Sequence, residues 1–407
     1  MNSSNSEHFI GLDIGTDAVR CVVGMFDPNG SNMPSIIGHG QASNQGMRRG
    51  TVVHVDEVAD AIVHAVTEAE RIAGVTIRQA TVNVNGAHVS GLNSEGVIAI
   101  SAANREITPE DRLRVEEAAT IVSLPPNREI VQFFAKNYSL DGQRNIKDPV
   151  GMHGVRLEVE AHIVTAASPN LRNLDMALGK AEINPTHHTV SGLAAAEAVL
   201  TRQQREAGVG LIDIGAGTTN LIVFEDGEVQ HVAVLPIGGQ HITNDLAIGL
   251  KTDLDVAEQV KVEHANLKRD AKKMNVMVKV GDKAHNFQFE EISMIVEARV
   301  EELLEYVDKE LHKIKRSRKL PGGVVLTGGT AKLPGIDEFA REQLQLPARL
   351  GKLHNVGGLV DTVEDPSFTT VVGLMLLDML LLPDLPPVHG RSAQARSLLG
   401  GLFSRFR

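Results

Sequence analysis

A short pattern occurs twice in this chain, once around residue 13 and again around residue 213. In each copy an apolar run ends at an aspartate, a turn of small residues follows, and a second apolar run begins; the copies read DIGT and DIGA. Strand, small-residue turn and strand predict a β-hairpin. Because glycine has no Cβ, backbone amides in such a turn can close on an anion. The repeat therefore predicts two similar halves, each presenting one phosphate-binding hairpin to a shared cleft.

The aspartate of each hairpin stands where a phosphate would be repelled unless a cation lay between them. We therefore expect Asp13 and Asp213 to hold Mg²⁺, directly or through water. The second copy is not a G-x-x-x-x-G-K-[ST] loop, and its G-x-G-x-x-G pattern is incomplete because Asn220 takes the last place. Either copy alone fits a plain β-hairpin with a glycine turn equally well. The repetition favours a nucleotide site.

A third glycine-rich segment, Val324–Gly335, follows late in the chain. An apolar strand runs into a Gly328-Gly329 pair, which lets a flat ring or a ribose lie against the backbone, and a helix is expected from about Ile336. Two D-I-G hairpins and a later L-T-G-G, in this order, resemble the actin-like ATPase superfamily, which includes actin, the heat-shock chaperone ATPases and the sugar kinases. The resemblance implies an α/β fold, with two similar domains around a cleft for ATP and Mg²⁺.

The segment Tyr138–Leu157 narrows this resemblance. It reads Y-x-L-D-x-x-x-x-I-K-x-P-x-G-M-x-G-V-R-L. This stretch resembles one in the small α+β subdomain that the FtsA family of actin-like cell-division proteins carries inserted at this position. Spacing alone would also fit a loop punctuated by proline and glycine. The family resemblance implies a protein that polymerises and links FtsZ filaments to the inner face of the cytoplasmic membrane at the division site, where it recruits later division proteins.

Two other functions remain open at this point. A pilus-type actin-like assembly protein shares the inserted domain, but we would not expect it to have a basic amphipathic tail. A sugar kinase of the same superfamily needs a catalytic aspartate beside a sugar pocket, and we identify none in the sequence. The insertion at about residues 86–160 is also unlike a sugar kinase.

The resemblance predicts how the chain is divided. The first actin-like domain comprises residues 1–84 and 161–200, with the inserted subdomain at 85–160. The second domain comprises residues 201–236 and 316–357, with a lid subdomain at 237–315 that we expect to bind FtsZ. Residues 358–382 form a final core helix that returns to the first domain, residues 383–396 form a linker, and residues 397–407 form an amphipathic membrane-targeting helix.

The resemblance also predicts which residues bind the nucleotide. Besides the two hairpins and the late glycine pair, it includes a glycine turn and a helix with the family's A-E-x-x-K pattern. The full set is Gly15, Thr16, Gly215, Ala216, Gly217, Thr218, Thr219, Gly238, Gly239, Glu258, Lys261, Gly328 and Gly329. The alternative for Glu258 and Lys261 is an ordinary surface pair three residues apart on a helix.

Catalysis and FtsZ binding each depend on one position. Ser191 stands where related filament ATPases have a glutamate that helps to position the attacking water, so we assign no catalytic residue and expect at most a slow ATPase. Glu197, nearby, is predicted to be a solvated helix residue.

Arg299 matches an arginine of the family's FtsZ-binding helix and would pair with an acidic FtsZ peptide, although a solvated helix charge is an equal alternative. The amphipathic helix that carries it spans Glu290–Ile314, with Ile295, Ala298, Leu303, Leu304, Val307 and Leu311 facing inward.

Composition limits the partners. A net charge of −11, no tryptophan and an aromatic content of 3% argue against broad nucleic-acid binding.

The N-terminus does not resemble a signal peptide. The apolar run Val371–Leu382 is too short to span a bilayer, so it is predicted to be a buried core helix. Cys21 is predicted to be a buried small hydrophobe. Apolar spacing predicts a helix over Val55–Ala73, and Thr108-Pro109 begins another.

The last residues predict a membrane-surface helix. Its apolar residues fall on one helical face, positive charges accompany them, and no acid follows Asp384. The membrane-binding residues are Leu398, Leu399, Leu402, Phe403, Phe406, Arg396, Arg405 and Arg407. The alternative is a tail helix that docks on its own core or on a neighbouring subunit.

Overall fold

The computed structural model describes residues 8–26, 33–101, 104–268, 276–280, 283–354 and 356–381. The predicted linker and membrane-targeting helix therefore lie outside the described residues. The strands are β1 (His8–Ile14), β2 (Ala18–Phe26), β3 (Pro34–Ser43), β4 (Met47–Arg48), β5 (Thr51–Val52), β6 (Gln79–Val84), β7 (Ser90–Ala99), β8 (Arg128–Leu140), β9 (Gln143–Ile146), β10 (Arg156–Ala167), β11 (Asn184–Val190), β12 (Val209–Ile214), β13 (Thr219–Glu225), β14 (Glu228–Leu235), β15 (Val276–Val280), β16 (Lys283–Phe287), β17 (Val324–Thr327), β18 (Ala348–Leu350) and β19 (Gly357–Gly358).

The helices lie between and around these strands. They are α1 (Val55–Ala73), α2 (Pro109–Thr120), α3 (Ser168–Lys180), α4 (Ser191–Val199), α5 (Arg202–Ala207), α6 (Gly239–Gly249), α7 (Leu254–His264), α8 (Phe289–Lys313), α9 (Ile336–Leu344), α10 (Val360–Val363) and α11 (Thr369–Leu381), with short 3₁₀ turns at Gly329–Lys332 and Pro366–Phe368. Among the helices that the structure describes, none is long and apolar enough to cross a bilayer.

The predicted pair of hairpins is confirmed, and each lies in an equivalent place in its own sheet. One sheet has the order β11-β6-β1-β2-β3-β19, and the other begins β18-β17-β12-β13-β14. In both, the hairpin is antiparallel (β1 with β2, β12 with β13), and its first strand has a parallel neighbour on the other side (β6, β17). Strands buried on both faces explain why these segments are almost continuously apolar.

The inserted segment continues the second sheet, in the order β14-β7-β10-β8-β9. The junction is a single residue pair, Ala233 with Ser90. His162 of β10 reinforces it, because its Nε2 accepts a hydrogen bond from the Val232 amide at 3.1 Å, while Nδ1 lies 2.8 Å from Asn93 Oδ1. Burial lowers the pKa of His162 to about 3, so the imidazole is neutral near neutral pH. Its Nε2 therefore stays unprotonated and can accept the hydrogen bond.

The predicted core helix near the end of the chain is confirmed as α11, which packs across α4. A Cβ on Gly373 would lie 1.7 Å from the Ala194 carbonyl oxygen, so only glycine allows this close crossing. Asp378, the acid within the apolar run, is buried and accepts hydrogen bonds from the Thr81 and Thr186 hydroxyls and the Ile10 amide. These bonds satisfy a charge that would otherwise be costly in the core.

Most local predictions agree with the structure. Helix α1 has the predicted bounds, and Thr108 caps α2 by accepting from the Asp111 amide while the Asp111 carboxylate accepts from the Thr108 amide. Cys21 is buried, and burial raises the pKa of its thiol to about 12, which keeps it protonated and unreactive.

Two local predictions are wrong. Ala298 is exposed, because the buried stripe of α8 follows Ile292, Val296 and Val300, and residue 298 lies about 200° around the helix from Val296. Glu197 is not solvated: its side chain is only 13% exposed and its carboxylate lies 2.9 Å from the Arg205 guanidinium.

Glu228, at the start of β14, should make stability depend on pH. Burial raises the pKa of Glu228 to about 7, although the nearby Lys147 charge lowers it. A carboxyl group whose pKa is higher in the folded than in the unfolded state stabilises the fold at pH values below its unfolded pKa. This contribution is lost as the pH rises through the folded pKa of about 7. Glu228→Gln should therefore be more stable than wild type by about 2 kcal/mol at pH 8, after allowance for partial exposure, and nearly equal to it at about pH 4. Denaturant unfolding at both pH values measures this, and an equal difference at both would contradict it.

Candidate functional site

The two hairpin turns close in the same way. The Gly15 amide donates to the Ala18 carbonyl at 3.1 Å, and the Gly215 amide donates to the Thr218 carbonyl at 2.9 Å. The amides of both predicted glycines are thus used inside the turns. Among the described residues the Ala216 amide donates to no backbone carbonyl, so it is a better candidate donor to an anion than Gly215.

The turns meet across the two halves. A Cβ on Gly217 would lie 2.9 Å from Thr16 Oγ1, so this glycine permits the contact. The Thr16 hydroxyl accepts from the Gly50 amide at 2.9 Å, and the Thr218 hydroxyl accepts from Asn85 Nδ2 at 3.1 Å. Each hydroxyl therefore keeps its own hydrogen to donate, which suits an anionic ligand.

The glycine turn before α6 packs against the turn of the second hairpin. The Gly239 amide donates to the Gly215 carbonyl at 2.9 Å, and a Cβ on Gly238 would lie 2.5 Å from that carbonyl oxygen. Thr219 has a similar role, because its buried hydroxyl donates to the Ile237 carbonyl at 2.8 Å. In this structure these predicted nucleotide contacts hold the shape of the hairpin, a role that the sequence motif did not reveal.

The carboxylates of Asp13 and Asp213 are both buried at the base of the hairpins. Burial raises the pKa of Asp13 to about 7; the Arg20 charge lowers that pKa and the Asp213 charge raises it. Burial likewise raises the pKa of Asp213 to about 6, while hydrogen bonds from Asn220 and Thr370 and the Arg20 charge lower it. Two buried carboxylates in electrostatic contact are a donor set that fits a hard divalent cation such as Mg²⁺.

The late glycine pair, Gly328-Gly329, lies against the Asp213 carboxylate. Gly328 has a φ of +87°, and a Cβ there would lie 2.4 Å from Asp213 Oδ1. The neighbouring Thr330 hydroxyl donates to the Gly215 carbonyl at 3.1 Å. Gly329 has more space, because its nearest neighbour atom would lie 3.7 Å from an added Cβ. The structure thus brings L-T-G-G to the second hairpin.

Glu258 and Lys261 are not a simple surface pair. Lys261 Nζ lies 2.6 Å from Glu258 Oε2, and it also donates to the Thr243 hydroxyl at 2.9 Å and the Gly239 carbonyl at 3.3 Å. Its side chain is only 15% exposed. These contacts attach α7 to the glycine turn, so both residues belong to the same cluster as the second hairpin.

Sequence reasoning missed two residues at the hairpin base. Asn83, in β6, is buried and donates to Asp13 Oδ1 at 2.7 Å. Arg20 is the cross-strand partner of Asp13, and its guanidinium carbon lies 5.4 Å from the centre of the Phe368 ring. The available signal was a polar or charged residue inside an otherwise apolar strand, which costs stability unless it has a partner.

Arg299, the predicted FtsZ-binding residue, is already paired. Its guanidinium forms ion pairs with Asp245 of α6 and Glu302 of its own helix. The hydrogen bonds that its guanidinium donates to Asp245 are the main reason that the pKa of Arg299 is raised. An acidic peptide would therefore compete with these carboxylates for the guanidinium.

Family comparisons agree with the sequence resemblance. A family model described as Cell division protein FtsA matches residues 210–373, and one described as the SHS2 domain inserted in FTSA matches residues 86–165. The chain is also 36% identical over 371 residues to the cell division protein FtsA of Pseudomonas aeruginosa, an alignment that covers 90% of this chain and 88% of that protein.

Solved structures share the fold at low identity. The PilM-PilN type IV pilus biogenesis complex has a TM-score of 0.64 at 18% identity and covers 91% of this chain and 98% of that one. MreB5 of Spiroplasma citri bound to ADP has a TM-score of 0.55 at 14% identity and covers 92% and 96%. These likenesses show the actin-like ATPase fold alone, whereas the family models and the 36% identical relative identify the family. The chain therefore belongs to the FtsA family of actin-like cell-division proteins.

Proposed function

We propose that this protein binds Mg-ATP between its two hairpins, polymerises, and tethers FtsZ filaments to the inner face of the cytoplasmic membrane at the division site. The observation that carries the nucleotide part is the pair of buried carboxylates, Asp13 and Asp213, at the base of hairpins that touch through Gly217 and Thr16. Family membership supports the division role and the recruitment of later division proteins.

Different groups of the described residues would contact different parts of Mg-ATP. Asp13 and Asp213 would hold Mg²⁺, whose charge would neutralise the phosphates. The hydroxyl hydrogens of Thr16 and Thr218 and the amide of Ala216 would donate to phosphate oxygens. The Gly328-Gly329 backbone and the Glu258–Lys261 pair would contact the ribose and adenine. Gly15, Gly215, Gly238, Gly239 and Thr219 would fix the hairpin shape.

Turnover of ATP should be slow. Ser191 is buried, and a hydroxyl cannot take a proton from water as a carboxylate can. We expect a rate well below the median enzyme rate of about 10 s⁻¹, and Ser191→Glu should raise it. A phosphate-release assay on both proteins measures this, and a wild-type rate near that median would contradict the proposal.

The lid subdomain would bind the acidic C-terminal peptide of FtsZ through Arg299. A charge-assisted hydrogen bond contributes ~1.5–3 kcal/mol, so Arg299→Met should weaken peptide binding about tenfold. Glu302→Gln should have the opposite effect, because it removes a carboxylate that competes for the same guanidinium. Titration of a fluorescent FtsZ tail peptide measures both.

The matched control is Arg316→Met, which removes another ion-paired arginine, the partner of Glu225, just outside the lid. Peptide affinity should be unchanged in this variant. Unchanged affinity in Arg299→Met would assign the peptide to another surface.

A further inference from the structure

We propose that Asn83 is a positioning residue that presets Asp13 for the cation and makes the Ser191 hydroxyl a hydrogen-bond donor. This inference rests on the proposed Mg-ATP site. It concerns a contact between three segments far apart in the chain: the first hairpin, β6, and the first residue of α4.

The Asn83 side chain makes contacts on both sides of its amide. Its Oδ1 accepts from the Ile14 amide at 2.7 Å. Its Nδ2 donates to Asp13 Oδ1 at 2.7 Å and to Ser191 Oγ at 3.2 Å. All of these groups lie in the interior, where Asn83 is 2% exposed.

The neighbours fix which way the amide points. The Ile14 N–H can only donate, so it requires the oxygen of Asn83, and this places the Asn83 nitrogen against Asp13 Oδ1, which accepts. A flipped amide would place two donors together and two acceptors together. The orientation is therefore determined by chemistry, and Asn83 holds the backbone and the carboxylate of the first hairpin in one fixed relation.

The contact also determines what Ser191 can do. Its oxygen accepts from Asn83, so its own hydrogen remains to be donated. Where related filament ATPases have a water-orienting glutamate, this chain therefore has a hydroxyl with a hydrogen to donate in place of a carboxylate that could take a proton from water. The site is thus arranged to hold a nucleotide rather than to hydrolyse it.

Among the residues that the structure describes, the side-chain hydrogen bonds to Asp213 are longer than the one to Asp13. Asp213 Oδ2 receives its hydrogen bonds from Asn220 Nδ2 and Thr370 Oγ1, both at 3.3 Å. Asp13 therefore has the shorter hydrogen bond from an asparagine amide, 2.7 Å against 3.3 Å for Asp213. Removal of hydrogen bonds that orient a metal ligand typically weakens metal binding 10–100-fold.

The test measures the apparent dissociation constant for Mg²⁺ in binding of a fluorescent ATP analogue. Asn83→Ala should raise this constant about tenfold or more, while binding measured in excess chelator should change less than about twofold. Ser191→Ala is the matched control, because it removes the second acceptor without touching Asp13, and it should leave the Mg²⁺ constant within about twofold of wild type.

A double-mutant cycle separates positioning from a general structural role. In an Asp13→Asn background, Asn83→Ala should cause no further loss of Mg²⁺ dependence, because the carboxylate that it positions is gone. If Asn83→Ala does not fold, Asn83→Ser takes its place, since serine is too short to reach both Asp13 and Ile14. Thermal unfolding of every variant confirms that the titrated protein is folded.

The outcomes are distinguishable. A wild-type protein that shows no Mg²⁺-dependent nucleotide binding would overturn both this inference and the proposed nucleotide site. Normal wild-type binding, combined with an unchanged Mg²⁺ constant in the Asn83 variant or with equal losses in both backgrounds, would overturn the role of Asn83 and leave the site intact.

Discussion

Asp213→Ala should abolish Mg²⁺-dependent ATP binding. Asp213 is the buried carboxylate that lies beside the second hairpin and Gly328, and in the proposed site it is one of the two ligands of the cation. Since loss of a group that merely orients a ligand costs roughly 10–100-fold in metal affinity, loss of the ligand itself should cost on the order of 100-fold or more. Calorimetric titration of ATP with and without Mg²⁺ measures the effect.

The variant should remain folded. Burial raises the pKa of Asp213 to about 6, so keeping this carboxylate ionised at neutral pH costs free energy in the folded state. Removal of the carboxylate should therefore leave the melting temperature of the nucleotide-free protein unchanged or higher. The control is Asp255→Ala, at an exposed site in α7, which should bind Mg-ATP normally. Wild-type affinity in a folded Asp213→Ala protein would remove this aspartate from the site.

Local sequence patterns predicted the elements that carry the site. Hairpin residues, the helix Val55–Ala73, the cap at Thr108 and the buried helix before Leu382 are all determined by near neighbours in sequence and by apolar spacing. The structure confirms each of them. The actin-like architecture followed from the order of motifs rather than from any one of them.

Contacts between distant segments were not predictable in this way. The amide of Gly239 supports the carbonyl of Gly215, and Asn83 reaches Asp13, only after the sheets have assembled. The phase of α8 was misjudged at Ala298 because alanine fits a buried or an exposed face equally well. Glu197 was misjudged because its partner, Arg205, lies in the next helix.

The terminal segment should bind anionic membranes, a property that follows from its sequence alone. Its five large apolar side chains would each gain roughly 1.5–3 kcal/mol on burial, an upper bound of about 7–15 kcal/mol before costs. Helix formation reduces this gain, and Gly400 and Gly401 cost about 1 kcal/mol each, whereas each arginine near anionic lipid adds about 1 kcal/mol. We therefore expect binding by one tail to be modest and reversible, and to strengthen when a polymer presents many tails together.

Leu399→Glu combined with Phe403→Glu should leave the protein in solution when anionic liposomes are floated through a density gradient. Both changes place a charge on the apolar face, where burial would be costly. The matched control is Ser392→Glu combined with Gln394→Glu, which adds the same charge ahead of the predicted helix and should float nearly as wild type does. Full flotation of the apolar-face variant would favour a tail that docks on protein instead.

The same flotation assay, with FtsZ polymers and Mg-ATP added, tests the tether most directly. FtsZ alone should stay in the dense fraction, and wild-type protein should carry it to the floating liposomes. The Leu399→Glu, Phe403→Glu variant should leave both proteins behind while still sedimenting with FtsZ polymers in the absence of lipid. Flotation of FtsZ with the variant, or failure of the wild-type protein to carry FtsZ to the liposomes, would contradict the proposed tether.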